Sequence, residues 1–192
     1  MAKLLWKPST QLAPVPVVML SCQRPGERPN IITVAWVGTV CSEPPMVSVA
    51  IRPERFSHDI IRDTGEFVVN IPTVDLVRAT DYCGVVSGRD TDKFKAARLT
   101  PEPAQTVRAP LIAECPLHLE CQVRDQRRLG THTLFLAEIL AVRAADALLT
   151  HGGRFAIERA GLITYAHGHY YAVGRRLGHF GFAVRKRPVK RK

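Results

Sequence analysis

Alternating apolar and polar positions divide the 192-residue chain into many short segments. Residues 15–23, "VPVVMLSCQ", read as a first strand ended by the Pro25–Gly26 turn. Residues 30–41, "NIITVAWVGTVC", are rich in β-branched side chains and read as a second strand. Glu43-Pro44-Pro45 breaks it, because proline cannot donate to a ladder. Residues 46–53 form the third strand, with Val47, Val49 and Ile51 on one face and Ser48, Ala50 and Arg52 on the other. The pattern then changes. Ser57 is predicted to cap a short helix over 58–64 and Gly65 to stop it. Residues 66–72 are a fourth strand, and Thr73 is predicted to cap a second helical stretch over 74–84. A polar loop within 87–97 leads into a third short helix, followed by an irregular, proline-broken connection. In 114–125, Cys115, Leu117, Leu119, Cys121 and Val123 alternate with Pro116, His118, Glu120, Gln122 and Arg124. This predicts a half-buried strand with the second set facing solvent. Residues 130–144 read as its antiparallel partner, and 162–174 as a last β-region or turn. Strands outnumber helices, which favours a mainly β barrel or sandwich with short helices packed on it.

Composition changes this picture little. The chain is 46 % hydrophobic and 23 % charged, ordinary for a globular protein. Its length suits one domain with a full core. Prolines 8, 14 and 16 interrupt the N-terminal apolar residues, so no signal peptide or membrane span is read, and a cytoplasmic location is expected. The five cysteines are odd in number and show no CxxC spacing, which predicts reduced, mostly buried thiols. The net charge of +10 first suggests nucleic acid. Eight of those charges lie within 175–192, a stretch without an acid. We therefore expect one domain over 1–183 followed by a basic tail over 184–192. No RNA- or DNA-binding motif accompanies the charge, so a nucleic-acid-binding barrel is a minor alternative.

The chemistry concentrates in "RPERFSHDII", residues 52–61. A helix N-terminus offers unpaired N–H groups and about half a positive charge. Arg52 and Arg55 add permanent planar donors, and Ser57 and His58 stand beside them, so the stretch is built to hold an anion. Alternatively, Ser57 only caps the helix and the arginines pair with Glu54, Asp59 or Asp63. Asn30 and Thr33 are polar within an apolar strand, and Ala35 is small, a combination that suits one wall of a planar ring. Trp36 either covers such a ring or packs. Ser87, Arg89, Asp90 and Lys93 lie in a loop that either reaches the anion or is an exposed charged segment. His167 and His169 share a strand face without a nearby carboxylate or cysteine, so no metal site is expected. No nucleophile elbow, Walker loop or GxGxxG is present.

Taken in order, "RPNIITVAWVGTVCSEPPMVSVAIRPERFSHDIIRDTGEFVVNIP", "DYCGVVSGRDTDKF", "APLIAECPLHLECQV", "GTHTLFLAEI" and "YAHGHYYAVGRRLGHFGF" resemble the flavin reductase-like, FMN-binding split-barrel family, and within it the flavoredoxin-like branch. The likeness covers roughly residues 12–183. It implies a six-stranded Greek-key barrel with flanking helices, and a homodimer holding FMN near the subunit interface. It implies that Asn30, Thr33, Val34, Ala35 and Trp36 line the flavin ring and ribityl chain, with Ala50, Ile51 and Arg52 beside it. Arg55, Ser57 and His58 would take the phosphate, with Lys93, Ser87 and Asp90 approaching from the following loop. The "HGHYY" segment would lie near the flavin. His132 is the expected residue on the electron donor's path. NAD(P)H-dependent members often carry Gly-Asp-His where this chain has Gly130-Thr131-His132, which puts direct use of NADH or NADPH in question. The implied function is an FMN-dependent oxidoreductase passing electrons from a reduced donor to a flavin, metal or protein acceptor. An FMN-binding electron carrier without its own substrate is the alternative.

Overall fold

In the computed structural model, residues 1–184 are described. The basic tail expected over 184–192 therefore falls almost wholly outside the described residues. The elements are β1 (Val15–Pro16), β2 (Val18–Cys22), β3 (Asn30–Val34), β4 (Val37–Ser42), β5 (Pro45–Ile51), α1 (Phe56–Thr64), β6 (Glu66–Ile71), α2 (Val77–Val85), α3 (Lys93–Ala96), β7 (Pro101–Glu102), β8 (Leu111–Ile112), β9 (Leu117–Leu129), β10 (His132–Ala144), β11 (Ile163–Ala166) and β12 (His169–Ala172).

Seven strands form one antiparallel sheet in the order β3-β2-β6-β9-β10-β5-β4. Its two edge strands, β3 and β4, are consecutive in the chain and joined only by Ala35 and Trp36. A seven-strand sheet whose opposite edges lie two residues apart must roll up on itself. The seam between β3 and β4 is not laddered, and Ala50 N–H donates to Trp36 O (2.9 Å) beside it. The result is the mainly β split barrel with short flanking helices. The single strand expected over 30–41 is two strands, because the chain bends at Ala35–Trp36 to cross the seam.

Alternation along each strand fills the barrel. Val18, Leu20, Ile32, Val34, Val47, Val49, Ile51, Phe67, Val69, Cys121, Phe135 and Ala137 point inward, and Ile60 and Ile61 of α1 join this core. The predicted faces of β5 hold. The outer face is covered in part. Met19 and Ile31 pack against Cys83, Phe94, Leu99, Ile112 and Cys115, which places α2 and α3 over β2 and β3. Segment 104–111 covers β6 and β9, with Val107, Ala109 and Leu111 against Val68. β1, β11 and β12 form a small separate sheet. The outer face of β4–β5–β10 carries Met46, Ala50, Leu134 and Leu136, all half-buried, and Val40, 51 % exposed.

Three local expectations change. Thr73 stands at the start of the second helical stretch without a side-chain cap bond. Arg55, not Ser57, occupies the N-cap position of α1, without a side-chain cap bond, while Gly65 ends the helix at φ 67° as expected. The polar face of β9 meets water only in part: His118 and Glu120 are buried, Pro116 and Gln122 are half-buried, and Arg124 is exposed as expected. Segment 104–112 lies over them. The Glu120 carboxylate accepts from Thr106 N–H (2.6 Å), Thr106 Oγ1 (2.6 Å) and Gln105 N–H (3.0 Å). Burial raises its pKa, but these hydrogen bonds outweigh that and hold it below the ordinary carboxylate value. Asn70 Oδ1 accepts from Ile112 N–H (2.9 Å) and meets His118 Nδ1 (2.9 Å). Asn70 Nδ2 donates to Met19 O and Ser21 Oγ (each 3.0 Å). These bonds clamp the irregular connection to the sheet. Four of the five cysteines are buried free thiols and Cys41 is half-buried.

Because Glu120 satisfies two backbone N–H groups, Glu120→Ala strands them. We expect a loss of about 2–3 kcal/mol in urea unfolding, with faster hydrogen exchange at residues 105 and 106.

Candidate functional site

The seam opens into a cleft of about 490 Å³, within the range of small-molecule sites. Its β3 side and floor are Ile32, Thr33, Val34, Ala35 and Trp36, and its β5 side is Ala50, Ile51 and Arg52. Arg55 and His132 line it beside Arg52, and Asp81, Gly84 and Val85 come from α2. Tyr165, Gly168 and Tyr170 come from the β11–β12 hairpin. The cleft exists because the chain crosses from β3 to β4 there: Ala35 and Ala50 are small, so the wall stays flat and open. Gly84 allows α2 to sit tightly on β3, since a Cβ at that position would lie 3.2 Å from Thr33 Cβ.

A second pocket of about 110 Å³ shares Ile32, Arg55 and Gly84 with the cleft and is lined further by Asn30, Ser57, Ser87, Gly88, Arg89 and Lys93. Here the start of α1 and the loop after α2 converge. Asn30 Nδ2 donates to Ser57 Oγ (2.7 Å). Gly88 is required: a Cβ there would stand 1.9 Å from Asn30 Oδ1. Arg89 lies over the Phe56 ring at 5.6 Å and donates to Glu54 O (3.0 Å).

The arginines decide the electrostatics. Among the described residues, neither Arg52 nor Arg55 joins an ion pair; Asp59 and Asp63 are engaged by Arg62 and Arg24 instead. Both are exposed at the cleft, and no side chain caps the first N–H groups of α1. The alternative in which the arginines pair with neighbouring acids is thus not what the fold does. Asp81 also lines the cleft and accepts from Tyr170 OH, so the two guanidiniums remain without a paired carboxylate, an arrangement that attracts an anion.

The expected residues sort into three groups. Thr33, Val34, Ala35, Trp36, Ala50, Ile51, Arg52, Arg55 and His132 line the main cleft, and Asn30, Ser57, Ser87 and Lys93 line the smaller pocket. His58 and Asp90 line neither. His58 is buried with both ring nitrogens engaged, Nε2 with Thr133 Oγ1 (2.9 Å) and Nδ1 with Asp59 Oδ1 (3.1 Å), so it braces α1 against β10. Lys93 is buried, and its ammonium donates to Ile31 O (2.7 Å) and Cys83 O (2.8 Å). Burial lowers its pKa to about 8. Two of its three donors therefore serve the fold. Val17, Asp81, Val85 and Tyr165 were not foreseen. They come from distant segments with no motif of their own, although the aromatic segment 167–171 was expected near the site. Tyr170 OH donates to Asp81 Oδ1 (3.2 Å), tying the hairpin to α2. Burial, reinforced by Asp81, raises the Tyr170 pKa to about 12. No metal-ligating cluster occurs among the described residues, and none of their helices is long and apolar enough to cross a membrane.

Fold and cleft together define a flavin-binding split barrel. The chain belongs to the flavin reductase like domain family, whose model matches residues 10–174. The flavoredoxin of Desulfovibrio vulgaris (Miyazaki F) is 33 % identical and superposes with a TM-score of 0.89 over 96 % of this chain and all of that one. Flavoredoxin from Methanosarcina acetivorans is 28 % identical, with a TM-score of 0.86 over the same shares. An uncharacterized Archaeoglobus fulgidus protein is 39 % identical over 63 % of this chain and 68 % of its own length. The reductase component of a 4-nitrophenol monooxygenase from Rhodococcus opacus is 30 % identical over 64 % of each chain.

His132 lies beside Arg52, and its pKa is lowered, first by burial and then by that guanidinium. It should titrate below 6.5, the ordinary value, and Arg52→Ala should move the midpoint upward. Following the His132 ring resonances by NMR against pH tests this; a midpoint at or above the ordinary value contradicts it.

Proposed function

We propose that the cleft binds FMN and that the protein is an FMN-dependent oxidoreductase, passing electrons from a reduced donor to a flavin, metal or protein acceptor. The observation that carries this reading is the pair of uncompensated arginines, Arg52 and Arg55, at the end of a flat seam walled by Thr33, Ala35 and Ala50. In this reading the arginines and the start of α1 take the phosphate. Val34, Ala35 and Ala50 flank the ring, and Asn30 and Ser57 serve the polar end from the adjoining pocket. Bound FMN would supply the redox chemistry, and the chain needs no nucleophile of its own. His132 stands at the mouth, where a donor would approach.

The donor is a separate matter, with NADH and NADPH as the small-molecule candidates. Thr131 Oγ1 bonds His132 Nδ1 (2.9 Å), and a hydroxyl does not support an imidazolium as a carboxylate would. This favours a second reading, an electron carrier reduced by another protein. The half-buried apolar face of β4–β5–β10 continues into the cleft through Ala50, which favours a homodimer built on that face. A cytoplasmic location accords with free thiols and reduced flavin chemistry. Nothing in the cleft favours nucleic acid.

The purified protein should be yellow. Arg52→Ala/Arg55→Ala should weaken FMN binding at least about tenfold, as expected for losing charge-assisted phosphate bonds. A colourless protein that takes up no added FMN would end the proposal. Anaerobic stopped-flow reduction by NADH, NADPH and reduced ferredoxin then separates enzyme from carrier: fast reduction by a nicotinamide favours the enzyme, and reduction by the protein donor alone favours the carrier.

A further inference from the structure

Residues 1–14 form neither helix nor strand, and every one is exposed. Leu4 is 91 % exposed, Leu5 101 %, Trp6 74 % and Leu12 82 %. A run of large apolar side chains standing clear of its own body marks a contact surface. The arm leaves the body at β1, which lies against β4. It therefore starts beside the β4–β5–β10 face, yet it makes no use of that face in its own chain.

That face offers what the arm lacks. Met46, Ala50, Leu134 and Leu136 are half-buried on it and Val40 is half-exposed. In register, Leu134 stands opposite Ala50 and Leu136 opposite Ser48, so the leucines and the β5 residues form one continuous surface. Both signs of charge stand along its edge, where Arg127 is opposite Leu134, and the acids there offer partners to the arm. Lys3 and Lys7 bracket Leu4-Leu5-Trp6 in the sequence. Glu43 lies at the β4–β5 turn, and Asp125 on β9 is opposite Leu136. Among the described residues neither acid joins an ion pair. Fourteen residues span up to about 45 Å when extended, enough to cross onto a neighbouring barrel. The exposed C-terminal segment is less well placed, because it departs from β12, the strand of the small sheet farthest from β1.

We propose that the N-terminal arm of each copy crosses to a second copy and packs across its β4–β5–β10 face. This deepens the homodimer reading and rests on it. Ala50 belongs both to that face and to the cleft lining, so the exchanged arm seats at the rim of the cofactor cleft. The arm thereby links assembly to the site.

The sequence holds two tryptophans, Trp6 and Trp36, so Trp36→Phe leaves Trp6 as the sole reporter. Light scattering on the FMN-loaded chain gives the mass, and lifetime-corrected acrylamide quenching gives the accessibility of Trp6. We expect a dimer in which Trp6 is quenched at least fivefold less than a free tryptophan amide. Leu4→Ser/Leu5→Ser should raise the dimer dissociation constant at least tenfold while circular dichroism shows the body still folded, since both leucines are more than 90 % exposed in their own chain. A dimer with Trp6 quenched as in water, or one unaffected by the double substitution, overturns the arm exchange and leaves the dimer standing. A monomer overturns both.

Discussion

A two-residue link governs this structure. Ala35 and Trp36 join the strands at opposite edges of a seven-stranded sheet, so the sheet cannot lie open. It rolls until β3 meets β4, and the meeting is a seam rather than a ladder. A closed ladder would leave no room for a ligand, and an open sheet would leave two edges in water. The seam avoids both outcomes and places backbone, small side chains and two arginines around one cleft.

The elements packed on the barrel serve that cleft. α1 seals the core with Ile60 and Ile61 while its uncapped start faces the site. α2 sits close on β3 because Gly84 leaves no side chain between them. It is anchored through Thr33, whose hydroxyl donates to Thr80 O. The β11–β12 hairpin reaches over the cleft and is tied to α2 by Tyr170 and Asp81. Lys93, buried, holds the carbonyls of Ile31 on β3 and Cys83 on α2 together. An ammonium between two elements that both line the site fixes their spacing. Lys93 thus does structural work at the edge of the smaller pocket that it lines.

Much of this was legible from the chain, for physical reasons that differ by region. Strand alternation gave the faces of β5, because a barrel interior is dry and its exterior mostly wet. The grouping of Arg52 and Arg55 at the start of α1 was legible because arginines beside a helix start are local in sequence. Four features were not. The bend at Ala35–Trp36 carries no glycine or proline, so a single strand was the natural reading. Glu120 and His118 look like an exposed face until segment 104–112 folds over them, and no local pattern announces that cover. Ser57 has the chemistry of a cap, but the helix starts one residue before it, and the hydroxyl instead accepts from Asn30 across the fold. His58 was drawn into the site by its neighbours in sequence, whereas tertiary packing turns it toward Thr133.

The central claim is that the cationic end of the seam recognises a phosphate carried by a planar ring. The most direct test is a calorimetric comparison of FMN with riboflavin on the cofactor-free protein, since the two ligands differ only in that phosphate. The account predicts FMN bound at least about tenfold more tightly, in keeping with charge-assisted hydrogen bonds, and the difference shrinking as salt rises. Equal affinity for the two would contradict it.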